Sequence, residues 1–283
     1  MKPPVVLSHF QVKPILKARQ EEKTHTSTSL DLGLTSTHVE LASDCVILPD
    51  RQSLSYESLV RIDKNKTACF IIENNAASKI QIFSELTNRL HTLMPTEHAP
   101  TMLLSGIPMH RIKGIDPHAD TLQKMRTISP VNGAVLDTAT GLGYTAIEAA
   151  KTAHHVITIE LNPASLQIAQ LNPWSQALFD HPKIQQIIGD TFDEIKAFED
   201  GTFSCIIHDP PAFSLAGELY SEAFYRQLQR ILKRRGRLFH YIGNLESSSG
   251  QRVSKGAIRR LHDAGFGRVL RKPEAFGLLA TKA

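Results

Sequence analysis

Asp209-Pro210-Pro211 follows directly on an apolar run, Phe203-Ser204-Cys205-Ile206-Ile207, with His208 at the joint. A carboxylate there is held stiffly, because each proline fixes its own φ and restricts the residue before it. Asp209 and the Pro210 backbone can therefore orient a bound amine or ring nitrogen, with Asp209 also able to take its proton. His208 is the alternative base, although a histidine at a strand end often serves only the fold. A rigid surface turn is the plainer explanation of the prolines and carries less weight here.

Further acids follow other apolar runs. Asp137 ends AVLD, and the segment Thr138-Ala139-Thr140-Gly141-Leu142-Gly143-Tyr144 leads from it into a helix. Gly141 and Gly143 allow a tight turn and a close backbone approach, and the N–H groups at a helix start can bind an acceptor group. Glu160 closes HVITIE, where a carboxylate can accept hydrogen bonds from both hydroxyls of a ribose. Asp190 follows IIG, in position to accept from an adenine amino group, although Gly-Asp after a strand is more often a turn. The nicotinamide fingerprint lacks its third glycine, since Ala146 stands in that place, and no Gly-Lys-Ser/Thr marks a phosphate loop.

In order and spacing, DTATGLGY, ITIE and IIGD resemble motifs I, II and III of the class I S-adenosylmethionine (SAM)-dependent methyltransferases, a likeness covering roughly residues 131–283. It implies SAM as cofactor, held by Asp137, Thr138, Thr140, Gly141, Gly143 and Tyr144 of the first loop, by Glu160 with Asn162, and by Asp190 with Thr191. Asp137 then lies near the methionine amino group or the loop that binds it; otherwise it is a turn or capping carboxylate. The Asp209 segment resembles the D-P-P-aromatic tetrad of amino-methyltransferases, with Ala212 interrupting it before Phe213. The D-P-P-x-F form also resembles some ribosomal-RNA base methyltransferases, so nitrogen and carbon acceptors both stay open.

From Asp209 to Tyr225 the chain is also similar to the spermidine synthases, which join a small β domain to the same kind of sheet and use decarboxylated SAM to transfer an aminopropyl group. Two departures weigh against that chemistry. The second acid of that loop is replaced around Ala212 and Phe213, and Leu142 stands where the first loop of that family carries an acid. Over nearly its whole length the chain resembles a prokaryotic group of predicted methyltransferases with a β-rich front domain, through Ser105-Gly106-Ile107-Pro108-Met109-His110-Arg111, Asp116-Pro117 and Asp120-Thr121. His110 and Arg111 precede the domain junction and could reach over the crevice as a lid, or simply stabilise a loop. Phe213, Glu218, Tyr220 and Tyr241 complete the acceptor-pocket candidates. The acceptor, a small molecule or RNA, is left open.

The elements that must position these groups divide the chain in two. Residues 129–283 alternate apolar strands with helices, the mark of βαβ units and a parallel sheet. An α/β, Rossmann-like sheet of about seven strands is expected, the last two, RVLRK and FGLLATK, pairing as an antiparallel hairpin at the edge. Residues 1–128 read as a smaller β-rich domain, with strands at CVILPD, LVRID, ACFIIENN, KIQIF and TMLLSG. FSELTNRLHTLM fits a helix or a hairpin, and Arg19 to Ser29 reads as a loop. The front domain could supply a homodimer surface.

A chain of 283 residues with 41% hydrophobic and 21% charged residues suits a folded two-domain enzyme. No run of about 18 apolar residues occurs, and no signal peptide is evident, so a cytoplasmic protein without a membrane partner is expected. Cys45, Cys69 and Cys205 are odd in number and widely spaced, which argues against disulfides and a zinc site. The net charge of +4 is weak support for nucleic acid. The densest basic stretch, Arg226 to Arg237, is read as cations complementing the end of a helix.

Overall fold

The computed structural model describes residues 4–211, 213 and 216–283. The chain forms two compact units, one of residues 1–118 with 164–177 and one of residues 119–163 with 178–283.

The first unit contains three small antiparallel sheets. Val6–Leu7, Phe70–Glu73 and Ala76–Lys79 make one; His25–Thr28, Thr37–Leu41, Cys45–Ile47 and Ser53–Ser55 make the second; Gln81–Ser84, Arg89–Met94, Thr101–Leu104 and Ile107–Pro108 make the third. Its core gathers Leu7, Val12, Ile15, Val46, Leu54, Leu59 and Ile62. Two expectations are corrected here, and one helix was not foreseen. LVRID is not a strand: it lies in the helix Tyr56–Lys64, where Ser55 caps the Ser58 N–H and Tyr56, Leu59 and Ile62 share the buried face. His9–Gln20 is a second helix, opened by a capping box of Ser8 and Gln11. Part of the expected loop Arg19 to Ser29 is the strand His25–Thr28, paired with Thr37–Leu41. FSELTNRLHTLM resolves as a hairpin, with Phe83 opposite Leu90.

The second unit carries the expected seven-stranded sheet. Its strands are β1 (Ala134–Asp137), β2 (His155–Glu160), β3 (Ile184–Ile188), β4 (Phe203–His208), β5 (Leu232–Tyr241), β6 (Phe266–Lys272) and β7 (Gly277–Lys282), ordered β3-β2-β1-β4-β5-β7-β6. Strands β1 to β5 run parallel. Antiparallel β7 and β6 finish the edge. Val135, Leu136, Val156, Ile159, Ile206 and Ile207 are fully buried, as strands covered on both faces require.

Four helices matter for the site: α1 (Pro117–Ile128), α2 (Tyr144–Ala150), α3 (Glu222–Ile231) and α4 (Ser248–Asp263). Ser221 caps α3 by accepting the Phe224 N–H, and Phe224, Tyr225, Leu228 and Ile231 form its buried stripe. The basic stretch is not a helix end throughout: α3 stops at Ile231, and Lys233, Arg234 and Arg235 belong to β5. No helix among the described residues is long and apolar enough to cross a membrane.

Candidate active site

The carboxyl ends of β1, β2 and β4 hold the predicted chemistry. Asp137 ends β1 fully buried, its Oδ2 accepting hydrogen bonds from Thr158 at 2.9 Å and Thr145 at 3.1 Å. Its Oδ1 is buried without a hydrogen-bond partner among the described residues. Burial pushes the carboxyl up to about 7; the threonine hydroxyls oppose that shift, and the charges of Asp209 and Glu160 reinforce it.

The loop after Asp137 is tied to both neighbouring strands. Gly141, at φ +53°, turns the chain in the left-handed region and donates its N–H to Glu160 Oε2 at 2.8 Å. Gly143, at φ +77°, begins α2, and a Cβ there would lie 2.7 Å from Leu178. Glu160 Oε1 accepts the Asn162 N–H at 2.9 Å. Thr140 shares a hydrogen bond with Thr158 at 2.6 Å, and Thr191 donates to the Thr138 carbonyl at 2.7 Å. These contacts bring the first, second and third motifs together. Asp190 is exposed, and one of its oxygens caps the short helix Thr191–Glu194 by accepting the Phe192 N–H at 2.8 Å. Tyr144 starts α2 and is buried.

At the end of β4, Asp209 is half-buried and its Oδ2 lies 2.6 Å from the Lys124 ammonium. Lys124, on α1, is only 3% exposed and also reaches Asp120 Oδ2, one helical turn back, at 3.0 Å. Its ammonium sits 4.5 Å from the centre of the Tyr241 ring. Burial would pull the Lys124 pKa down, but the Asp209 and Asp120 carboxylates outweigh it and hold the ammonium well above its ordinary value. Lys124 escaped the sequence reading. The signal was present as Asp120 and Lys124 at i and i+4 on one helix.

Two assignments need correction. His208 is not placed to act as a base: it is fully buried, its Nε2 donates to the Leu219 carbonyl at 2.9 Å, and its Nδ1 accepts from Thr138 Oγ1 at 2.7 Å. Burial lowers its pKa to about 3, so the ring stays neutral. Tyr220 is not an open pocket wall, because it is 2% exposed and its hydroxyl donates to the Pro211 carbonyl at 3.1 Å, bracing the proline turn.

Phe213 is 48% exposed, edge-on to Tyr220 at 5.3 Å, which leaves much of its surface open. Pro210 is buried, and Glu218 lies on the turn Gly217–Tyr220. Ala212, Ser214 and Leu215 lie outside the described residues. His110 belongs to the first unit, where its ring meets Thr101 at 3.0 Å, and Arg111 follows it there. Sequence reading also passed over Leu161 and Ile188, which are 50% and 60% exposed at the ends of β2 and β3.

The strand order and the loop contacts define a class I methyltransferase fold. Residues 109–248 match the model of the methyltransferase small domain family. The chain is 41% identical to "Uncharacterized protein MJ1233" of Methanocaldococcus jannaschii, across 95% of this chain and 93% of that one, and belongs to the same family. It is also 28% identical to polyamine aminopropyltransferase 2 of Streptomyces coelicolor, over 32% of this chain and 18% of that one. A spermidine synthase crystallised with the transition-state analogue AdoDATO has a similar fold, with TM-score 0.59 and 19% identity over 74% of this chain and 78% of that one.

Proposed function

We propose that this protein is a SAM-dependent methyltransferase acting on an amine or ring nitrogen. The observation that carries this reading is the joined cradle of Asp137, Gly141 and Glu160 beside the Asp209 turn. The Asp137 Oδ1, which no described residue engages, suits an ammonium such as that of a methionine moiety. The Glu160 oxygens accept the Gly141 and Asn162 N–H groups at a strand end where a carboxylate can also meet ribose hydroxyls. Exposed Leu161 and Ile188 offer apolar surface to a flat base.

Bound SAM would supply an electrophilic methyl group on its sulfonium. The chain's task is alignment, which can lower a barrier by roughly 7–11 kcal/mol at best. Asp209 accepts the N–H of the acceptor and directs the nitrogen lone pair, while Lys124, hydrogen-bonded to it at 2.6 Å, holds its rotamer. Asp209→Ala should lower methyl transfer from radiolabelled SAM into fractionated cell extract by about 10²–10⁴-fold, with SAM affinity by calorimetry unchanged. Full turnover in that variant would remove Asp209 from the reaction.

Aminopropyl transfer from decarboxylated SAM is the second reading, supported by the likeness of fold to spermidine synthase. Leu142 weighs against it, since this fully buried apolar side chain occupies the position of an acid in that family. Tighter binding of decarboxylated SAM than of SAM would reverse the ranking.

A further inference from the structure

At the opposite end of the same parallel strands the chain makes a detour. Leu232 pairs with Phe203 and Arg237 with Cys205, so Lys233, Arg234, Arg235 and Gly236 stand against Ser204 alone. This excursion is larger than an ordinary bulge, and such irregularities re-aim side chains. Arg235 adopts φ +63°, a left-handed conformation unfavourable for a bulky residue. A Cβ on Gly236 would lie 2.7 Å from the Lys233 carbonyl and 3.2 Å from that of Ser204, so the loop closes only on glycine.

Lys233, Arg234, Arg235 and Arg237, with Asn132 and Ser204, line an open groove of about 440 Å³, and among the described residues no carboxylate stands in its wall. Arg237 is committed to the carbonyls of Ser129 and Pro130. Lys233, Arg234 and Arg235 are exposed, and no ion pair holds them among the described residues. Asp200, on the turn beside Lys233, gives its carboxylate to Arg230 at 2.7 Å.

Three exposed cations on a tightly closed loop form a positive surface that the fold does not use. Among the described residues, none of the large exposed apolar side chains lies in this groove, so it lacks the apolar anchors of a membrane-binding face. Cations at three successive positions along an open groove suit a run of phosphates, each met by its own side chain.

We propose that the groove of Lys233, Arg234 and Arg235 binds the phosphodiester backbone of a nucleic acid. This surface is separate from the SAM cradle and does not depend on which acceptor that cradle serves.

The test is fluorescence anisotropy of the whole protein with a labelled mixed-sequence single-stranded RNA, titrated across salt. The expected result is that K233A/R234A/R235A binds at least about tenfold more weakly near 50 mM salt, with the log–log salt slope reduced by about 2, from three contacts at about 0.7 each. K233R/R234K/R235K should keep the binding, as should K13A/K17A, which removes two exposed cations from the helix His9–Gln20. Lys233→Glu alone reads the same loss if the triple alanine variant fails to fold. Wild-type affinity in both K233A/R234A/R235A and Lys233→Glu would overturn the proposal. So would an equal loss in K13A/K17A, or binding of wild type to phosphatidylserine vesicles in preference to RNA.

Discussion

Two buried polar clusters adjoin at the end of β4, and they handle burial in opposite ways. Lys124 keeps its charge, held by ion pairs to the Asp120 and Asp209 carboxylates at 3.0 and 2.6 Å. His208 and His240, with ring centres 4.4 Å apart, give up theirs: burial lowers both pKa values, and each ring finds neutral partners. His240 pairs with the Tyr225 hydroxyl at 2.8 Å. An ion pair forms where a half-buried carboxylate follows the strand, and a neutral ring stands one residue earlier, inside the sheet. The difference lies in partners more than in depth, since Lys124 is nearly as buried as His208.

The sharpest way to break the comparison is to remove the central cation. Lys124→Met leaves two carboxylates without their counter-charge and should cost about 3–5 kcal/mol in urea unfolding at neutral pH. Adding Asp120→Asn should recover part of that loss. A wild-type midpoint for Lys124→Met would mean that the two acids do not rely on it.

Asp137 sharpens the same contrast, being a buried acid whose Oδ1 has no partner among the described residues. Its pKa is raised from 3.8 unfolded to about 7 folded, so the stability it confers is complete below 3.8 and is lost as pH rises through 7. Asp137→Asn should therefore be more stable than wild type by a few kcal/mol at pH 8, because each tenfold change in an ionisation constant is worth roughly 1.4 kcal/mol, with the gap closing toward pH 4. SAM affinity should also weaken in this variant. Wild-type affinity should itself fall as pH drops below about 7, which calorimetry in buffers of different ionisation heat would register as proton release on binding.

The smallest effect is a slope. His208, lowered from 6.5 to about 3, contributes stability that is full above 6.5 and lost as pH falls toward 3, and His240 acts in the same sense. Both therefore release protons on folding in that range, while Asp137 takes one up. As pH falls from about 6 to 4.5, Asp137→Asn should thus lose stability more steeply than wild type, by about 1.4 kcal/mol per pH unit. Equal slopes in the two proteins would show that the opposing titrations are not both present.

The parallel sheet was legible because its strands are apolar on both faces, and the loops at its carboxyl end because glycine and acid fall at strand ends. What could not be read depended on partners distant in sequence. Lys124 looks like an ordinary helix cation until Asp209, 85 residues on, is placed beside it. His208 looks titratable until Thr138 and Leu219 occupy both ring nitrogens. LVRID has the β-branched content of a strand, but Ser55 and the spacing of Tyr56, Leu59 and Ile62 favour a capped helix. The run of Lys233 to Arg235 follows a helix closely enough to suggest dipole complementation, and only the register of β4 against β5 shows the detour.

The hydrogen bonds from Thr191 to Thr138, from Thr138 to His208 and from Gly141 to Glu160 have a mechanical consequence. Loops that share fastenings loosen together, so amide exchange in these three loops should follow one common opening. A ligand that meets such a frame finds its order already established by folding, and little of its binding energy is drawn off to arrange the backbone.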